Sequence, residues 1–242
     1  MQPVFALAAP LLLAALCWAY LVTGAGMGMD IWTMTTLQFP PPSHFSPSNL
    51  PPMRLDWSPQ FIGTSVFMWW TMMLAMMLPG IMIPIARAKP LKAYRAIQFL
   101  AGYALVWLGF SVGATLLQYG FEQAGWLDVM KLRSTNDGFS FALLMAAALY
   151  QFSPIKTIAI QYRRDSPSTD KIQSEGFRHG AKCLTATAPM MGLLFVGGVM
   201  NVYWMVGLTT IVLVEKTVNN RAASRIIGAA FFLMALFVLI AE

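Results

Sequence analysis

Eight residues in this chain have the chemistry of soft-metal ligands and a spacing that could bring them together: Met68, Met72, Met73, Met76, Met77, His179, Cys183 and Met200. The five methionines fall in Phe67-Met-Trp-Trp-Thr-Met-Met-Leu-Ala-Met-Met-Leu-Pro79, inside a run from Trp57 to Ala86 that carries no charged residue. On a helix, positions four apart share a face. Met68, Met72 and Met76 therefore form one row of sulfurs, and Met73 with Met77 an adjacent one. A neutral, polarizable thioether competes poorly with water for hard ions but well for Cu(I), so the chemistry these rows offer is copper binding. Methionine is also a flexible filler between helices, and the same rows serve packing without any metal.

The rows need a membrane helix to carry them. The chain has 242 residues, is 57% hydrophobic and 11% charged, and has a mean hydropathy of +0.61, which places it among polytopic all-α membrane bundles. The net charge of +6 does not point to nucleic acid, because the basic residues cluster between apolar runs as topology determinants do. The partner expected from this pattern is the lipid bilayer. Cys17 and Cys183 lie in or beside apolar segments and imply no disulfide framework.

Seven apolar helices are expected, in one integral membrane domain spanning residues 1–242. The first runs from Pro3 to Val22 and the second carries the methionines. Between them, a loop at about residues 24–60 holds Pro40-Pro41-Pro42, Pro47, Pro51-Pro52 and Pro59 but a single basic residue, Arg54, and is expected to face outward. This loop contains a second soft-ligand pattern, Met27-x-Met29 followed by Met34, His44 and Met53. The basic cluster Arg87, Lys89, Lys92 and Arg95 marks an inner turn. A third span covers about Ala96 to Leu117, with Gly109-x-x-x-Gly113 as a pattern for close helix approach. A fourth covers about Phe139 to Ile160, with Lys156 snorkelling from its inner end, and residues 161–182 form an inner loop. The uncharged stretch from Cys183 to Val214 is long for one crossing and short for two. A hairpin turning near Gly197-Gly198 and Asn201 gives seven spans and keeps Lys216, Arg221 and Arg225 inside; a single long span gives six. The last span runs from Ile226 to Ala241.

Polar groups within apolar segments must be satisfied, since an unpaired one costs several kcal/mol, roughly, in hydrocarbon. Asn201 is placed to cap the helix that follows it. Glu215 and Lys216 offer either a local ion pair at a helix end or a gate. Trp69 and Trp70 lie too deep to be interface anchors and brace the methionine row instead; Trp57, Trp126 and Trp204 are anchor candidates. No Ser/His/Asp set, phosphate-cradling glycine loop or His-Glu-x-x-His is present, so an enzyme is not expected.

Three blocks taken together carry a resemblance: Trp70-x-Met72-Met73-x-Ala75-Met76-Met77-x-Pro79; Tyr150-Gln151-x-x-Pro154-x-Lys156; and His179-Gly180-x-x-Cys183 leading to Phe195-x-Gly197-Gly198-Val199-Met200-Asn201-x-x-Trp204-Met205 and Glu215-Lys216. In their order and spacing, from about Phe61 to Ile240, they resemble a bacterial family of predicted metal-binding integral membrane proteins. The resemblance implies a multi-pass protein of the bacterial inner membrane with a metal site. Related sequences continue the His-Gly-x-x-Cys block with further cysteines and a tryptophan, where this chain has Ala186-Thr187-Ala188. A site here is thus reduced to Cys183 and His179, too few ligands without the methionine rows. Three functions follow: capture or passage of Cu(I); a structural or accessory subunit of a larger membrane complex with no metal of its own; and transport of a different small solute, for which broken helices near Pro79, Pro84 and Gly197 are the pointer.

Overall fold

The computed structural model describes residues 2–24, 32, 35, 56–82, 93–128, 132–156, 172–218 and 221–240. Most of the Pro-rich loop, including Met27, Met29, Met34, His44 and Met53, lies outside the described residues, as do the basic turn from Arg87 to Lys92 and the segment from Arg163 to Lys171. The described residues are mostly helical: α1 (Gln2–Val22), α2 (Pro59–Met77) continued by a 3-10 turn (Leu78–Ile81), α3 (Ala93–Gln123), α4 (Asp137–Phe152), α5 (Ile172–Gly192), a short α6 (Leu194–Gly197), α7 (Val202–Val218) and α8 (Arg221–Ile240). A two-stranded antiparallel hairpin, β1 (Leu127–Asp128) and β2 (Arg133–Ser134), joins α3 to α4.

Seven spans were expected; among the described residues, four helices are long and apolar enough to cross a membrane: Pro59–Ile81, Tyr94–Gln123, Ser174–Gly197 and Arg221–Ile240. Ala8–Val22 and Asp137–Phe152 are shorter apolar helices. Local chemistry sets the boundaries. Ser58 caps α2 through its hydroxyl, which accepts from the Phe61 N–H, and Pro59 supplies the fixed φ of a first turn. Asn136 caps α4 in the same way through Phe139. At its other end α4 is interrupted at Ser153; residues 154–156 are helical again, and residues 157–160 of the expected span lie outside the described residues. Ser153, forced out of the helical region by the following Pro154, is extended at ψ 141°.

The largest departure concerns residues 161–182. The second half of this segment is not a loop but the first turns of α5, which begins at Ile172. Gly176, Gly180, Cys183, Thr187 and Met190 are buried along one stripe while Phe177, Arg178 and Thr185 are exposed, the 3.6-residue period of an amphipathic helix. Gly176 and Gly180 make the close approach that had been expected of Gly109 and Gly113. A Cβ on Gly176 would fall 2.1 Å from the Phe99 carbonyl oxygen, and one on Gly180 would fall 3.0 Å from Val106, whereas Gly109 and Gly113 have nothing within 4 Å. Small residues thus let α5 lie against α3, and the Gly109–Gly113 pair meets no other helix among the described residues.

The break expected near Gly197-Gly198 and Asn201 is present. Gly198 takes φ +97°, a conformation that glycine alone adopts without strain, and a Cβ on Gly197 would fall 2.3 Å from the Trp204 ring. Asn201 caps α7, its side-chain oxygen accepting from the N–H of Tyr203 (3.1 Å) and Trp204 (3.4 Å). Trp204 is a clamp on this turn, donating its indole N–H to the Leu193 carbonyl at 2.7 Å.

Candidate metal centre

The centre is built on α2. Every residue from Thr71 to Leu78 is buried, more than a full turn in succession, so this part of the helix has neighbours on all sides. α1, α3 and α7 supply the wall. Three indoles fasten it: Trp18 of α1 donates to the Ala75 carbonyl (3.1 Å), Trp70 donates to the Ala104 carbonyl of α3 (2.9 Å), and Trp69 donates to the Gln118 side-chain oxygen (2.8 Å). Trp69 and Trp70 brace the row, as expected from their depth.

Met68, Met72, Met73, Met76 and Met77 are all completely buried, at 0% exposure. Cys183 of α5 is equally buried and Met200, in the turn before α7, is 1% exposed; all seven belong to one continuous buried cluster. His179 stands one turn before Cys183 on α5 and is half-buried, its ring 5.8 Å from that of Phe99 and 6.1 Å from that of Tyr103. The Cys183 sulfur accepts two hydrogen bonds, from the Tyr103 hydroxyl at 3.3 Å and from the Lys216 ammonium at 3.4 Å. Lys216 in turn lies across Gly80, just past the methionine helix: a Cβ there would fall 2.3 Å from its Nζ. One ammonium therefore joins the thiol to the end of α2.

Further buried methionines belong to the same cluster: Met205, quoted above only within the block that carries the resemblance, and Met190 and Met191, which were not singled out in the sequence. Their signal was available, since Met190-Met191 repeats the pairing of Met72-Met73 and Met76-Met77. Met190 has other partners. Its sulfur accepts from the Gln151 amide at 3.3 Å and lies 3.8 Å from the Lys156 ammonium, so two polar donors already occupy it.

That contact belongs to a second assembly beside the first. Lys156 does not snorkel to an interface. It is 1% exposed, donates to both oxygens of Glu215 at 2.7 and 2.9 Å, and also donates to the side-chain amide oxygen of Gln151. Ser224 of α8 adds a hydrogen bond to Glu215 at 3.0 Å. Glu215 is thus paired with Lys156 of a distant segment rather than with neighbouring Lys216, because adjacent residues on a helix point about 100° apart. Gly228 brings α8 down onto this network, for a Cβ there would fall 2.8 Å from Gln151 Cβ.

The donor set suits one class of ion. Among the described residues no three or more His, Cys, Asp or Glu are grouped to hold a metal, which leaves the buried thioethers, the thiols of Cys17 and Cys183 in the same buried cluster, and the half-buried His179. Sulfur in a dry interior fits a soft monovalent cation and not Mg²⁺ or Ca²⁺, which need several oxygen ligands. No curated protein and no solved structure matches the chain. Residues 66–238, more than two thirds of the 242, match a family described as a copper chaperone, and on that match, which takes in the methionine helix, Cys183 and the ion pair alike, the chain belongs to the PpoB2 copper chaperone family.

Proposed function

We propose that this protein is a membrane-embedded carrier that binds Cu(I) through the methionine rows of α2, with Cys183, His179 and Met200 as accessory ligands, and passes it on without catalysing a reaction. The observation that carries the reading is the complete burial of five methionines on one helix enclosed by the rest of the bundle. Copper in the first oxidation state fits because thioethers bind it without adding charge to a dry interior. Four helices of spanning length and apolarity support insertion in a bilayer, and the bacterial inner membrane is the setting we assign to it. Purified full-length protein is expected to hold Cu(I) in a fixed ratio to protein by elemental analysis and to keep it against a chromophoric Cu(I) chelator; a copper-free protein that also fails to load in vitro removes the reading.

One observation favours a second function, that of an accessory subunit. Gly109 and Gly113 have open space beside them among the described residues, a surface on which a helix of another protein could lie closely. That role alone predicts no bound copper.

The topology has its own test. With the amino terminus and the Arg163-Arg164 segment on the inner face, a cysteine placed at Ser46 in a background lacking native cysteines is expected to react with an impermeant maleimide added from outside, and one placed at Ser166 is expected to be spared. The reverse pattern inverts the assignment.

A further inference from the structure

We infer that Lys216 is a built-in competitor for copper at Cys183: its ammonium holds the sulfur, and Cu(I) reaches that sulfur only by displacing it. The inference rests on the copper reading above and adds to it a residue that controls how tightly the cargo is held. The geometry is specific. Lys216 Nζ lies 3.4 Å from the Cys183 sulfur, on which the Tyr103 hydroxyl also donates at 3.3 Å, so the two donors flank the atom a metal would use. Gly80 makes the position possible, because a Cβ there would fall 2.3, 2.6 and 2.9 Å from Nζ, Cδ and Cε of Lys216. A cation arriving at the sulfur meets an ammonium already in place, and two positive charges on one sulfur repel, so each weakens the other's hold. The lysine must therefore swing away, and the last turn of α7, where helix carbonyls favour positive charge, is within reach of its flexible stem.

Such a competitor weakens binding by the strength of the contact it surrenders. A hydrogen bond to a charged group corresponds to about ten- to a hundredfold in affinity. Weak holding suits a carrier that must release its cargo, and Lys216 supplies a way to set it without altering any ligand.

The test is Cu(I) affinity of the full-length protein, measured at one pH by competition with a chromophoric chelator, in the parent, Lys216→Leu, Gly80→Ala, Cys183→Ser and the Cys183→Ser, Lys216→Leu double variant. Lys216→Leu, which removes the ammonium without adding a sulfur, is expected to bind about tenfold more tightly or better. Gly80→Ala, which retains the charge but pushes the lysine end aside, is expected to move in the same direction by less, and it keeps the proposal testable should Lys216→Leu fail to fold. The gain is expected to vanish when Cys183 is serine. Unchanged or weaker affinity in both Lys216→Leu and Gly80→Ala, with copper still bound by the parent, overturns the competitor while leaving the copper reading intact. A gain that persists without Cys183 overturns it as well. No Cu(I) on the parent or on any variant removes the copper reading itself, and the competitor with it.

Discussion

Removing one member of the Lys156–Glu215 pair is expected to destabilise the protein by about 3 to 5 kcal/mol, because the partner is left charged and buried. Both side chains are nearly inaccessible, at 1% and 5% exposure, so solvent does not soften the loss. Lys156→Met strands a carboxylate whose remaining described hydrogen bond is the one from Ser224. Glu215→Leu removes the carboxylate from a buried ammonium that also donates to the Gln151 side-chain amide oxygen and the Met190 sulfur. The double variant, with apolar groups of similar size at both positions, is expected to recover most of either loss, since replacing a buried ion pair outright is often neutral or better. Equilibrium unfolding in mixed micelles, comparing the two single variants with the double, reads this directly. Two mild singles and an additive double would mean that the pair is not formed in the folded protein.

The second large effect is on copper. Met72→Leu combined with Met76→Leu nearly conserves volume and hydrophobicity at two fully buried sites, so stability is expected to change by less than about 1.5 kcal/mol. Copper affinity is expected to collapse, because two of the three sulfurs of the main row are gone and leucine has no lone pair to offer. Packing alone predicts a different ranking: leucine is tolerated, whereas alanine at the same positions opens cavities that cost roughly 2 to 5 kcal/mol per site. The deciding measurement is copper content of the folded leucine variant. An undiminished content there separates this helix from the metal.

The methionine helix was legible in the sequence because apolarity, spacing and length all report the same local structure. The same holds for the break at Gly198 and the Asn201 cap, which depend on backbone conformation and on hydrogen bonds between near neighbours. What escaped were features set by distant contacts. The early start of α5 was hidden because Arg178 and Lys182 read as loop charges, although one faces outward and the buried stripe of Gly176, Gly180 and Cys183 lies on the other side. Of two identical glycine spacings the one in α3 was singled out, yet nothing local distinguishes a pair that meets a helix from a pair that does not. Glu215 beside Lys216 suggested a local pair, but each of these side chains finds its partner on another segment, at Lys156 and Cys183. The candidate ligands were named from chemistry; the contacts of the two lysines beside them were visible only once the chain was folded.

The enclosure of α2 has a consequence for timing. Sulfurs at 0% exposure offer no surface on which a donor or acceptor protein can dock against the cargo. On the copper reading proposed above, an ion held there is not handed over by ligand exchange across a contact face, as an ion at a surface site can be. It moves when neighbouring helices part, on the microsecond to millisecond scale, or slower, of collective helix motions. The clock of delivery then belongs to the bundle, and crowding the solution with acceptors does not make it run faster.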